Sequence, residues 1–182
     1  MDTDTHYATY VDSIDKAELD DLMTQYGDDV VQFAYMMTRN RERAKDIAQE
    51  AFIRAYTGIH AYRGQSSIRT WLLAITRNLA LNELKSSYLR RMLLFERVRS
   101  AERTPSAEEA FFGQQAEKKI WEIVMALPTK LREALMLQVH YGMTVAEIAD
   151  MLQVSEGTVK SRLFRARRQV ESKWREDGCD DE

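Results

Sequence analysis

The chain has 182 residues, enough for one medium domain or two small ones. With 45% hydrophobic and 30% charged residues it is neither disordered nor membrane-embedded, and no apolar run approaches the ~20 residues of a bilayer span. The net charge of −3 averages unlike segments: residues 1–29 hold nine acids and one lysine, residues 176–182 hold five acids, and the body between them sets 25 basic side chains against 15 acidic ones. A basic body with acidic ends suits a polyanionic ligand whose non-specific capture the ends moderate; acidic ends that only aid solubility are the alternative.

The acidic start MDTDTHYATYVDSIDKAELDD has no positive region followed by an apolar core, so it does not read as a signal peptide. A single cysteine, Cys179, fits a reducing cytoplasm. His6, His60, His140 and that cysteine make no metal set, and no glycine loop cradles a phosphate, so neither a metal, a cofactor nor a small-molecule substrate is expected.

Seven glycines and two prolines favour helices with short connections. Helical spacing predicts helices over 17–38, 43–59, 67–86, 108–126, 129–141, 145–152 and 156–174, and no stretch sustains strand alternation. The fold is therefore expected to be all-α. The expected layout is an acidic tail (1–16), a helical domain (17–88), a basic linker (89–107), a second helical domain (108–175) and an acidic tail (176–182).

In RERAKDIAQEAFIRAYTGIH two stripes run along one helix. Ala44, Ile47, Ala48, Ala51, Ala55 and Ile59 make an ordinary core face. Nearly opposite lie Asp46, Gln49, Ile53 and Tyr56, a mixed apolar and polar ridge. Such a ridge suits docking against another protein's helices, or cover by another part of this chain.

The next stretch, HAYRGQSS, is rich in groups that stack on bases or bond to their edges: His60, Tyr62, Arg63, Gln65 and Ser66. The helix after it has Ile68, Trp71, Leu72, Ile75 and Leu79 on one face and Leu73, Leu81 and Leu84 on others, so burial on more than one side is expected. Trp71 follows the core face. Arg77, Asn78, Asn82 and Lys85 are its polar positions, with Asn82 heading towards the core side. Residues 87–107 start within the Ser86-Ser87 pair and end at Thr104-Pro105-Ser106; Arg90, Arg91, Arg97, Arg99 and Arg103 make this linker unusually basic.

The segment MTVAEIADMLQVSEGTVKSRLFRARRQV reads as a helix-turn-helix. Thr144 and Glu147 have capping-box spacing, Gln153-Val154 make the turn, and Ser155 can cap the second helix. In that helix Val159, Leu163, Ala166 and Val170 share one face. Gly157, Ser161, Phe164, Arg165 and Arg168 share the other, flanked by Lys160 and Arg167. Small residues at the tip with longer cations behind suit a major-groove helix; a surface helix with solvated arginines is the bland alternative.

Taken together, AKDIAQEAFIRAY, SSIRTWLLAITRNLALNELKSS and LPTKLREALMLQVHYGMTVAEIADMLQVSEGTVKSRLFRARRQV resemble the bacterial sigma factors of the extracytoplasmic-function type, over roughly residues 17–174. The resemblance implies a non-enzymatic factor that binds core RNA polymerase, at its clamp and flap regions, and brings it to promoter DNA. It implies that Asp46, Gln49, Glu50, Ile53, Arg54 and Tyr56 dock on polymerase. It implies that Tyr62, Arg63, Gln65, Ser66 and Ser67, with Arg77, Asn78, Asn82 and Lys85, read and melt the −10 element. For the −35 duplex it implies Ser155, Glu156, Gly157, Thr158, Lys160, Ser161, Arg162, Arg165 and Arg168. Asn82 departs from the family pattern, in which an acidic residue often follows the Arg-Asn pair by four places. An anti-sigma partner, often membrane-anchored, is also implied. The rival from another class is a dimeric helix-turn-helix repressor or activator with a helical N-terminal effector domain, which would read a palindrome.

Overall fold

The computed structural model describes residues 16–94 and 115–176. All regular structure within them is helical, in two compact units that divide between residues 96 and 97. The acidic ends, most of the basic linker and residues 108–114, expected to open the fourth helix, lie outside the described residues.

The first unit comprises α1 (Lys16–Thr38), α2 (Arg41–Gly58), a single 3-10 turn (Ile59–Ala61) and α3 (Ile68–Leu94). A local hydrogen-bond set separates α1 from α2. Arg39 takes a left-handed conformation at φ 56, and the Asn40 side chain accepts from the Arg43 amide at 2.9 Å. That cap starts α2 at residue 41, two residues before the apolar spacing alone suggests. The core face of α2 is mostly alanine: Ala44, Ala48, Ala51 and Ala55 are buried with Ile47 and Phe52. Such small side chains let α1 and α3 approach closely. α3 is buried on two sides, since Leu72 and Leu73 are adjacent and both at most 1% exposed. Trp71 and Ile75 pack half-buried against the same core.

α3 runs through Leu94, so residues 89–94, assigned to the linker by sequence, are helical. The Ser86-Ser87 pair does not break it, because the Ser87 hydroxyl donates to the Leu84 carbonyl at 3.1 Å within the helix. At its other end α3 is tied to α1. The Arg69 guanidinium donates twice to Asp29, at 2.7 and 3.1 Å.

The second unit comprises α4 (Gln115–Ala126), α5 (Thr129–Val139), α6 (Val145–Leu152) and α7 (Glu156–Glu176). α4, α5 and α6 all pack on α7. One buried charge organises the α4–α5 corner: Arg132, 1% exposed, donates to the carbonyls of Met125 and Leu127 at 2.9 and 2.7 Å. It thereby serves acceptors that the end of α4 leaves without helical partners. Met143 and Tyr141 close the corner before α6, and Ile148 and Leu152 carry its buried face.

The helix-turn-helix forms from local signals. The Thr144 amide and hydroxyl both donate to the Glu147 carboxylate at 2.7 Å, and the Glu147 amide donates back to the hydroxyl at 3.3 Å. Gln153 ends α6 in the left-handed region at φ 55. Ser155 then accepts the Thr158 amide at 3.2 Å to begin α7.

The Thr144 backbone N–H, and after it the hydroxyl, hold the Glu147 carboxyl below its ordinary value of 4.5. A group depressed on folding stabilises fully above its unfolded value and loses that contribution as pH falls through the folded one. Glu147→Gln is therefore expected to cost about 0.5–1 kcal/mol at neutral pH. The gap to the parent should close as the pH drops below the glutamate range. Urea melts check this, and a gap equal at about pH 7 and about pH 3 would contradict it.

Candidate functional site

Three exposed surfaces carry the residues singled out by sequence. On α2 the face opposite the alanine core presents Asp46, Gln49, Ile53 and Tyr56, with Ile53 57% and Tyr56 42% exposed. No other described residue covers them, so the reading in which this chain buries its own ridge is not what the described residues form. Completing the burial of a half-covered apolar group such as Ile53 would contribute roughly half of the ~1.5–3 kcal/mol of a full burial. Glu50 and Arg54 pair at 2.8 Å along the ridge, and Arg43 reaches both Asp46 (3.9 Å) and Glu83 of α3 (3.5 Å). Between α2 and α3 lies an open groove of about 320 Å³, lined by Asp46, Glu50, Arg54, Leu79, Asn82 and Glu83 among others.

Asn82 corrects one expectation. Helical phase points it towards the core side, yet it is exposed and lines this groove. The open groove between α2 and α3 leaves the position accessible. Asn78 and Lys85 are exposed along the same strip of α3, and Arg77 is half-buried.

The loop from Tyr62 to Ser67 gives a second correction. Tyr62 is only 8% exposed and its ring lies against Trp71, with centroids 5.2 Å apart. Its hydroxyl donates to the Ser66 carbonyl. A ring held this way belongs to the core and offers no face for a base to stack on. Ser67 is also committed locally: its hydroxyl oxygen accepts the Thr70 amide at 3.1 Å at the start of α3. Arg63, Gln65 and Ser66 are exposed, and Gly64 turns the backbone at φ 66.

The third surface is α7. Val159, Leu163 and Ala166 are at most 3% exposed and Val170 is half-buried, as the apolar spacing requires. The opposite face exposes Glu156, Gly157, Lys160, Ser161, Phe164, Arg165 and Arg168, while Thr158 and Arg162 are half-buried. Ser155 and Thr158 share the cap, their hydroxyls 3.0 Å apart. The cations are lightly held: Lys160 meets Glu156 at 3.4 Å, Arg165 donates to Ser161, and Arg168 lies 5.9 Å over the exposed Phe164 ring. Exposed pairs of this kind contribute about 0.3–0.5 kcal/mol each and are readily exchanged for phosphate. Arg167 differs, since its contact with Gln138 of α5 at 2.6 Å braces α7. Gly157 is not required by the fold. A Cβ there would meet only the Ser155 hydroxyl oxygen, at 3.8 Å.

Sequence reasoning missed the bracing residues: Asp29 with Arg69, Arg132, and Gln138 with Arg167. Their side chains are charged or polar, so apolar periodicity gives no sign of the partners they find. Among the described residues, no cluster of three or more His, Cys, Asp or Glu could hold a metal ion, and no helix is long and apolar enough to cross a membrane.

Comparison with known proteins agrees with this geometry. Residues 22–90 match the family described as Sigma-70 region 2, and residues 117–170 match Sigma-70, region 4. The chain is 32% identical over 166 residues to RNA polymerase sigma-H factor of Pseudomonas aeruginosa, covering 86% of each chain. It is 30% identical over 182 residues to the ECF RNA polymerase sigma-E factor of Haemophilus influenzae, covering 94% of this chain and 95% of that one. Among solved structures, its fold is similar to the sigma factor RpoE bound to the anti-sigma factor NepR from Bartonella quintana. That match has a TM-score of 0.72 at 18% identity over 87% of this chain and 97% of the other. It is also similar to CnrH in complex with the cytosolic domain of CnrY, with a TM-score of 0.60 at 21% identity over 87% and 88%. These findings do not favour a dimeric repressor. The chain belongs to the sigma-70 family, among the extracytoplasmic-function RNA polymerase sigma factors, and directs the polymerase to promoters.

Proposed function

We propose that the work of promoter recognition is divided between the two units. In this reading residues 17–94 dock on core RNA polymerase and read the −10 element, and residues 108–175 read the −35 duplex, with 95–107 as the tether between them. The observation that carries the docking role is the exposed pair Ile53 and Tyr56 beside Asp46 and Gln49 on a helix whose other face is wholly buried. Glu50 and Arg54 border the same surface and belong to it. The polymerase clamp covers this ridge and its flap region engages the second unit.

The −10 surface consists of Arg63, Gln65 and Ser66 in the loop with Arg77, Asn78, Asn82 and Lys85 on α3. Tyr62 and Ser67 shape it from beneath. The −35 surface is the exposed face of α7 from Glu156 to Arg168. Phosphate contacts from Lys160, Arg162, Arg165 and Arg168 supply most of the affinity, and the helix tip supplies sequence choice. Capture of an unstacked base by the loop offsets an unstacking cost of a few kcal/mol. The protein performs no covalent chemistry and works in the cytoplasm, and RNA synthesis belongs to the polymerase. The structurally similar sigma factor RpoE is in complex with the anti-sigma factor NepR, which supports such a partner here, membrane-anchored or not.

Two measurements test this division. Ile53→Glu or Gln49→Ala is expected to abolish co-purification with core polymerase while stability changes by no more than about 0.5 kcal/mol, since both sites are exposed. Normal binding by both variants would remove the ridge from the docking surface. Gly157→Ala separates folding from function on α7. It is expected to raise stability by about 0.5 kcal/mol and yet weaken binding of the −35 duplex by the holoenzyme, because within the protein the added methyl makes only an ordinary contact with the Ser155 hydroxyl oxygen and otherwise faces the approaching DNA. A variant that gains stability and binds that duplex as well as its parent would rule out close approach at the helix tip.

A further inference from the structure

Tyr62 occupies a place in the first unit that the rest of its loop does not share. Its ring is fixed against Trp71, and its amide donates to the Ile59 carbonyl at 2.9 Å. From that anchored ring the hydroxyl reaches across the turn to the Ser66 carbonyl, four residues on. The far end of the loop is fixed separately. The Ser67 carbonyl accepts the Trp71 amide at 3.0 Å, the Ser67 hydroxyl oxygen accepts the Thr70 amide, and Arg69 forks onto Asp29. Between these anchors Arg63 and Gln65 are exposed, and among the described residues neither spends its side chain on a hydrogen bond or an ion pair.

We propose that Tyr62 is a positioning residue for promoter melting: its hydroxyl closes the loop into a preformed arch that presents Arg63 and Gln65 to an unstacked base. This rests on the reading of the loop as a −10 contact. A loop that orders only on contact loses conformational entropy at that moment, which weakens binding. It also lets its side chains adjust to the wrong base, which blurs selectivity. One hydrogen bond from a buried ring is suited to prevent both, because the ring is held by packing and carries the hydroxyl to a fixed point. The base-reading groups then need no internal contacts of their own.

The test uses Tyr62→Phe, which keeps the ring and its packing and removes only the hydroxyl. In the free full-length chain, amide hydrogen exchange at residues 63–67 should quicken while exchange in the α2 core stays as in the parent. In the holoenzyme, assembled with core polymerase, the probe is a single-stranded oligonucleotide carrying a −10 sequence selected by that holoenzyme from a random library. Affinity should fall about fivefold, the effect of a typical hydrogen bond. The preference for the selected base over a substituted one should narrow, which a loss of properly folded protein alone would not cause. Polymerase binding should not change. Parental loop exchange, or parental affinity and preference in Tyr62→Phe while Arg63→Ala weakens the probe, would overturn the proposal. If Arg63→Ala and Gln65→Ala also leave the probe unaffected, the −10 reading of the loop itself fails, and the positioning role fails with it.

Discussion

The contact on which the rest depends is the burial of a single face by each of two helices, α2 through its alanines and α7 through Val159, Leu163 and Ala166. Unlike α3, which is buried on two sides, α2 and α7 each give one side to the core, and they give it with side chains small or regular enough to fix their rotation. Rotation matters because it decides which groups face outward. On α2 it turns Ile53 and Tyr56 outward beside carboxylates, and on α7 it turns a row of cations outward behind a glycine tip. The same folding event that forms each core thus sets the chemistry of each outer face.

The bracing contacts preserve that rotation. Arg132 closes the end of α4 and fixes the corner from which α5 leaves, and Arg167 then holds α7 to α5 through Gln138. In the first unit the Arg69–Asp29 fork does the same for the start of α3. The outward cations of α7 have only loose partners, Glu156 for Lys160 and Ser161 for Arg165. The difference is functional in kind. A buried guanidinium that lost its carbonyls would leave them unsatisfied at about 1–3 kcal/mol each. An exposed one exchanges a weak neighbour for a phosphate at little cost.

Much of this was legible in the sequence where the determining interactions are local. The Thr144–Glu147 box and the Ser155 cap span three residues each, so the helix-turn-helix could be read at its ends as well as along its faces. The two stripes of α2 were legible because periodicity records burial directly. The loop was less so: Tyr62 looks like a base-stacking group beside Arg63, and only the position of Trp71, nine residues later, makes it a core residue. Asn82 failed for a related reason, since helical phase gives a direction but does not say that a groove between α2 and α3 lies open at that point. The Ser-Ser pair at 86–87 looks like a helix end, yet Ser87 satisfies its hydroxyl within the turn and α3 continues to Leu94. Arg132 was hidden by its charge, because sequence reading sends an arginine to solvent unless a partner is in view.

The central claim is that two separately folded units act on one promoter only when polymerase sets the distance between them. Transcription by core polymerase and the purified chain, from library-selected promoters in which the spacing between the two conserved blocks is varied base pair by base pair, tests it most directly. The account predicts two unlike, non-symmetric blocks and a sharp optimum in spacing, because each added base pair also rotates one block by about a tenth of a turn. It also predicts little DNA affinity for the chain without polymerase. A tight twofold complex of the isolated chain on a symmetric operator, with output indifferent to spacing, would contradict it.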